Sequence, residues 1–275
     1  MDSAVERAIE CIRERYGEPL SLADIARSAL LSRFYLAHRF RDATGITPGR
    51  FLAAIRIHQA KVLLLDTPLS VTKIASAVGY TSLGSFTSHF SASVGVPPGR
   101  FRRLARDGGF AAPVPRTDGR TATGAVAGTI SLPEGHGNAR VYVGAFPTPI
   151  VQHPLAAGVI VDVPGGRPSC YRLPDVPDGR WFVRAVGVAD GVGPDASFRR
   201  NSLVGGHDPV TVTAGSVTSA AVRLHRPRPA DPPVLLALPD FAPPPASAGI
   251  SGCPVIGARP APAGEHHRTA PLTPA

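Results

Sequence analysis

The chain has 275 residues and a formal net charge of +9, which gives room for two modest domains and favours an anionic partner such as nucleic acid. Residues 1–109 hold 15 Lys and Arg against 9 Asp and Glu, and the rest holds 14 against 11, so the positive excess lies mainly in the first part of the chain. No apolar run approaches the roughly 18 residues of a membrane helix, and the first twenty residues carry eight charges and no apolar core, so neither a membrane partner nor a signal peptide is expected.

In chain order, Val5, Ala8, Ile9, Ile12 and Tyr16 recur at helical spacing, and Gly17 and Pro19 stop that helix. Ser21 can cap the next helix, with Asp24 three positions on as in a capping box; Leu22, Ile25, Ala26 and Ala29 form its apolar stripe. Ser32 caps a third helix running to about Thr44. Residues 49–65 predict a longer helix, ended by the Asp66-Thr67-Pro68 breaker. Ser70 opens a second unit with a helix to about Ala77, a turn at Gly79 and a helix over 82–93; a last short helix follows Pro98. The expectation is an all-α domain of seven helices over residues 1–109.

The texture then changes. Residues 110–123, with Pro113 and Pro115, form a linker. From 124 to 225 the chain reads as an all-β sandwich of about seven strands, with strand-like runs at Ala125–Ser131, Arg140–Phe146, Gly158–Val163, Arg180–Val188, Val210–Thr213 and Val217–Leu224. Over 226–275, Pro and Ala dominate without periodicity, which predicts a disordered tail.

A repeat of about fifty residues runs through the helical region. Ser32, Leu36, Phe40, Gly45 and Pro48 return as Ser82, Phe86, Phe90, Gly95 and Pro98. Upstream, Ile25-Ala26 returns as Ile74-Ala75. A duplicated helix-turn-helix unit in a basic protein points to double-stranded DNA. On a helical wheel, Leu36, Phe40 and Ala43 share one face, while Phe34, Ala37, His38 and Arg41 point away from it. In the second unit Phe86, Phe90 and Ser93 face inward, and Gly84, Thr87, Ser88 and Ser91 outward. A recognition helix needs this division, with one face docked and the other free to enter the major groove.

These residues resemble the DNA-binding domain of AraC/XylS-type transcriptional regulators over about 4–106. The resemblance is carried by Ser21-Leu22-Ala23-Asp24-Ile25-Ala26, by Leu36 and Phe40 with Thr44-Gly45 and Pro48, and by Arg56, Ala60 and Leu63-Leu64 of the linking helix. In the second unit it is carried by Ile74-Ala75, Val78-Gly79-Tyr80, Phe86, Phe90 and Gly95-Val96-Pro97-Pro98-Gly99-Arg100-Phe101-Arg102. It implies two helix-turn-helix units joined by a long helix, reading successive major grooves on one face of DNA. By position, base reading falls on Phe34, Ala37 and His38 in the first unit and on Gly84, Ser85 and Ser88 in the second. Arg33, Arg41 and Thr87 complete the candidate DNA-binding set. The sequence departs from the family where Ser91-Ala92 replaces a basic pair, and the usual order of sensor then DNA-binding domain is reversed.

Phe34 suits a thymine methyl, His38 can donate to guanine, and Arg41 reaches phosphate. The second helix offers glycine and small hydroxyls, so direct readout is expected to concentrate in the first unit, with the second contributing positioning and DNA shape.

In the β region, Tyr171–Ala185 reads as a strand end, a Pro-Asp turn and a new strand alternating Trp181, Val183 and Ala185 against Phe182 and Arg184; with Gly128-Thr129-Ile130 and Val210–Gly215 it resembles the carboxypeptidase regulatory-like (transthyretin-like) sandwich, a module without a fixed function. An unknown effector or protein partner is expected there, and RNA polymerase is a further expected partner of a regulator. Two other readings stay open: a DNA-localised adaptor, or a hydrolase in the β-domain tethered to DNA. Against the hydrolase, no catalytic constellation stands out, and the Tyr-Arg-Gly-Ser end of some transthyretin-like enzymes is replaced by Pro-Leu-Thr-Pro-Ala. No cofactor motif and no metal-ligand spacing is found. Cys11, Cys170 and Cys253 suggest a reducing cytoplasm, with Cys170 a buried or idle thiol. His136, His207 beside Asp208, and His266-His267 are expected on loops or the surface, Trp181 in the core, and Arg199-Arg200-Asn201 in a solvated loop.

Overall fold

A computed structural model describes residues 2–115, 121–191, 201–239, 241–245 and 248–250. Seven helices open the chain: α1 (Ser3–Arg15), α2 (Leu22–Ser28), α3 (Arg33–Thr44), α4 (Pro48–Asp66), α5 (Val71–Ala77), α6 (Leu83–Val94) and α7 (Pro98–Arg106). Side-chain caps start six of them. Asp2, Ser21, Ser32, Thr47, Ser70 and Ser82 each accept a hydrogen bond from a backbone N–H of the first turn. At α2 the box is reciprocal, because Asp24 accepts from the Ser21 backbone. One core holds the seven helices together: Val5, Ile9, Ile12, Ile25, Leu36, Phe40, Phe51, Ile55, Ile74, Phe86, Phe90 and Phe101 are all essentially sealed from solvent. Two half-buried arginines tie its elements together. Arg56 of α4 donates to the carbonyls of Tyr16 and Glu18 (both 2.7 Å), and Arg102 of α7 donates to those of Leu64 (3.1 Å) and Leu69 (2.7 Å).

Among the described residues nine strands follow: β1 (Thr123–Ser131), β2 (His136–Phe146), β3 (Ala157–Val163), β4 (Ser169–Pro177), β5 (Gly179–Gly191), β6 (Asn201–Gly206), β7 (Val210–Val212), β8 (Val217–Ser219) and β9 (Val222–His225). The main path runs β3-β2-β5-β6-β9-β1-β4, with β7 paired to β5 and β8 to β1. The ends of this seven-strand path meet, because the Ser169 hydroxyl of β4 donates to the Asp162 carbonyl of β3 (2.9 Å). The two layers expected of a sandwich are therefore one continuous sheet, nearly closed into a barrel.

Strand β6 was not expected, and β4 was expected only as a strand end at Tyr171–Leu173, whereas it runs on through the expected Pro174-Asp175 turn to Pro177. Pro174 and Pro177 disguise β4, although Ser169, Tyr171, Leu173 and Val176 are its buried positions. The run expected at 217–224 is two strands, separated at Ala220-Ala221.

The β2 strand is buried on both faces. Its odd residues Val141, Val143 and Ala145 fill the barrel. Its even residues Tyr142 and Phe146 point the other way, into a second cluster with Val151, Leu155, Leu236 and Phe241. Part of the region from Arg226 onward, where composition predicts disorder, is thus an extended strap. Successive residues of the strap serve different domains: Leu235 and Ala237 belong to the helical core, and Leu236 lies between them in the cluster on the barrel. The loop after β2 does the same with Ile150 in the helical core and Val151 on the barrel. The expected tail over 251–275 lies outside the described residues.

Three other expectations are corrected. Cys170 is exposed and disulfide-bonded, not an idle thiol, so only Cys11 is free among the described cysteines. His136 is buried at the start of β2, with Nδ1 donating to the Glu134 carbonyl (3.2 Å) and Nε2 unpartnered. Asn201 begins β6 rather than continuing a loop, while Arg199 and Arg200 lie outside the described residues. Trp181 is half-buried against the barrel core, its indole N–H donating to the Pro177 carbonyl (2.7 Å).

Candidate nucleic-acid interface

The two recognition helices are built alike. Ser32 accepts from the Tyr35 N–H (3.3 Å) and Ser82 from the Ser85 N–H (3.1 Å). Leu36 and Phe40 anchor α3, and Phe40 meets Phe51 edge-on at 5.4 Å. Phe86 and Phe90 anchor α6, with Phe90 edge-on to Phe101 at 5.7 Å. Each helix ends in a left-handed glycine, Gly45 (φ 77°) and Gly95 (φ 91°), whose N–H closes the last turn on Arg41 and Ser91. A side chain at either position would strain the backbone, which is why both units carry glycine there.

The opposite faces are open. On α3, Arg33, Phe34, His38 and Arg41 are exposed and Ala37 is half-buried; on α6, Gly84, Ser85 and Ser88 are exposed and Thr87 is half-buried. Phe34 is 88 % exposed, the most exposed large apolar side chain among the described residues. The structure thus groups all nine expected residues on two exposed helix faces.

Several partners modify that set. His38 Nε2 lies 3.4 Å from Asp42 Oδ2, one turn later on the same helix. Asp42 was not singled out in the sequence, although its i+4 spacing from His38 was readable there. Its carboxylate is near enough to restrain the ring. Ser85 is less free than its exposure suggests: its hydroxyl accepts from Ser82 Oγ (2.9 Å). Ser91, outward on the wheel, turns its hydroxyl back to the Thr87 carbonyl (2.7 Å). Leu83, at the position that repeats Arg33, is 44 % exposed and adds an apolar contact.

Not every arginine of this basic region is available to DNA. Arg39 makes a two-pronged pair with Asp2 (2.9 and 3.2 Å). The Ala4 N–H and Arg39 together hold the Asp2 carboxyl below the usual carboxylate range. Among the described residues the side chains of Arg33, Arg41, Arg50 and Arg100 make no ion pair or hydrogen bond within the protein, which leaves them free for phosphate. Arg50 and Arg100 occupy equivalent positions, in the first turns of α4 and α7. No three His, Cys, Asp or Glu side chains gather as a metal site among the described residues.

A helix-turn-helix domain family matches residues 25–104. The uncharacterized HTH-type transcriptional regulator YfiF of Bacillus subtilis (strain 168) is 35% identical over 96 residues, which are 35% of this chain and 30% of that protein. The melibiose operon regulatory protein of Escherichia coli (strain K12) is 30% identical over 102 residues, 37% of this chain and 34% of that protein. The N-terminal region is an AraC-type helix-turn-helix DNA-binding domain. Among solved structures, this AraC-type region is similar to the DNA-binding domain of AdpA, a global transcriptional factor, in complex with a target DNA, at 28% identity over 38% of this chain and 94% of that chain, with a TM-score of 0.37. The chain spans about a third of the length of the curated relatives it matches, and those matches cover little over a third of its own length.

Proposed function

We infer that the protein is a sequence-specific DNA-binding regulator of transcription that places α3 and α6 in two successive major grooves. One observation carries this reading: two helices fifty residues apart share caps, buried anchors and terminal glycines, and both present an open outer face. In this reading Phe34, Ala37 and His38 read base edges, Asp42 orients His38, and Arg33 and Arg41 hold phosphate. Gly84, Ser85, Thr87 and Ser88 let the backbone of α6 approach closely, with hydroxyls as single hydrogen-bond partners. The regulator acts on chromosomal DNA in the cytoplasm, with RNA polymerase as a further partner. The β-domain, read as a carboxypeptidase regulatory-like module, binds an effector or a protein.

Fluorescence anisotropy with duplexes selected from a random library tests the reading. The full chain should bind the selected duplex at least a hundredfold more tightly than a scrambled one at the same salt. Equal affinity for both would leave a non-specific binder and overturn it.

A further inference from the structure

The loop joining β2 to β3 touches both recognition helices at equivalent places. Pro149 lies against Gly45, its ring carbon 3.4 Å from where a Cβ there would stand, and His153 lies 3.6 Å from the same point at Gly95. The His153 backbone N–H donates to the Ser93 carbonyl in the last turn of α6 (2.8 Å). Gly45 and Gly95 are the same position of the repeat. A five-residue stretch, 149–153, therefore bridges the C-terminal ends of the two helices that enter DNA.

That stretch is held from both sides. From the barrel, Arg184 of β5 donates Nε to the Pro149 carbonyl (3.2 Å). Its guanidinium lies over Gly206, where any Cβ would overlap it. From the strap, the N–H groups of Leu235 and Leu236 both donate to the Val151 carbonyl (2.9 and 3.1 Å). The strap is itself fixed to the helices. Lys61 of α4 donates to the carbonyls of Val234 (3.2 Å) and Leu236 (3.1 Å), Arg13 of α1 to that of Pro229 (3.0 Å), and the Ala237 N–H to the Val94 carbonyl (3.1 Å). Ile150 and Leu235 complete the seal inside the helical core.

We propose that the 149–153 loop is a positioning element for DNA readout: it fixes the separation and angle of α3 and α6, and so sets the spacing between half-sites that the protein accepts. This rests on the reading of α3 and α6 as DNA-reading helices. Besides this bridge the two units are joined by α4 with the core around it, and by the Tyr16-Gly17 turn, which packs against Ala77 and Gly79; with the bridge removed, only these contacts resist a change in the distance between the outer faces. Two major-groove half-sites lie about 10 bp apart, and each added base pair moves the second by about 3.4 Å along and about 34° around the duplex. A braced pair of helices rejects such a shift, whereas an unbraced pair follows it. None of the bridging residues lies on the outer faces, so the loop acts on spacing and not on base identity. Arg184 and the strap are positioning groups of the loop in turn.

The test uses the full chain on its selected duplex and on duplexes with one or two base pairs inserted between, or deleted from between, the two half-sites. Wild type should lose at least tenfold in affinity per inserted base pair. The Pro149→Gly, His153→Gly double variant should lose less than threefold, while its base preference within each half-site stays the same. Arg184→Ala, on β5, should shift in the same direction by a smaller amount. An unchanged spacing penalty in all these variants overturns the proposal, as does a uniform loss of affinity at every spacing. If wild type selects no duplex at all, the DNA-reading assignment itself has failed, which is a separate outcome. A second readout needs no DNA: spin labels at Arg27→Cys and Ser76→Cys, on exposed positions of α2 and α5, give the distance between the two units. Wild type should show a narrow distance distribution and the double variant one at least twice as wide; equal widths overturn the proposal.

Discussion

At the residue scale, the two recognition helices are alike in build but unequal in chemistry. His38 brings an imidazole that can donate to a base edge, and Asp42 at 3.4 Å restrains it. Ser88 brings one hydroxyl, which water can satisfy as well in the free protein. His38→Ala should therefore cost about 1–3 kcal/mol on the selected site and much less on random duplex, and Ser88→Ala should cost less than His38→Ala. Anisotropy titrations on both duplexes check this; a larger loss for Ser88→Ala would reverse the assignment of readout. Arg41 is exposed and free of protein partners, so Arg41→Ala should weaken binding alike on all sequences and reduce the slope of log K against log salt by about one. A full slope in Arg41→Ala would remove it from the phosphate set. The outer-face residues were legible from the wheel because the wheel needs only a helix and its buried side. The partners of Ser85 and His38 were not, because a rotamer choice and a hydroxyl orientation decide them.

At the scale of elements, caps and anchors hold each recognition helix in place. Phe86 is fully buried between Tyr80 and Phe90, so Phe86→Ala should cost about 3–5 kcal/mol in urea unfolding. Ser32→Ala removes a cap and should cost about 1 kcal/mol. The strap gives a pH-dependent term. Burial pushes the Lys61 ammonium down to about 8, well below a free lysine. Its folded value is depressed, so above pH ~8 the unfolded chain holds more protons than the native one, and stability rises with pH until free lysine titrates near ~10.4. His58, beside Lys61 and Arg13, is also held below its usual value, first by burial and then by Lys61, and is already neutral in this window. The buried phenols of Tyr142 and Tyr171 are raised and act with the opposite sign only at higher pH. Wild type should thus gain stability from pH 7.5 to 9.5, and Lys61→Met should lack that gain; parallel urea midpoints for the two proteins across this range would contradict it.

The helices were readable in sequence because each carries a cap, an apolar stripe and a stop. The strap was not, because Leu235 and Leu236 are buried by two different domains, and no periodicity of the strap's own reveals that. β4 was masked by prolines that sit at its exposed and terminal positions.

At the scale of the whole molecule, the β-domain is seated on the side of the helical domain away from the outer faces of α3 and α6. It touches their C-terminal ends at Gly45 and Gly95, while Phe34 and His38 stay open to solvent. These outer-face side chains are thus left uncovered by the β-domain. The change from helices to strands was legible from the change in texture after Gly109, and so was the repeat; the packing between the two parts was not, since it is formed by a loop and a strap with no pattern of their own. The most direct measurement of the central claim is selection of duplexes from a random library by the full chain. The account predicts a bipartite motif with centres about 10 bp apart, with most of its information in the half read by α3. No enriched motif, or a single half-site contacted by one helix, would contradict it.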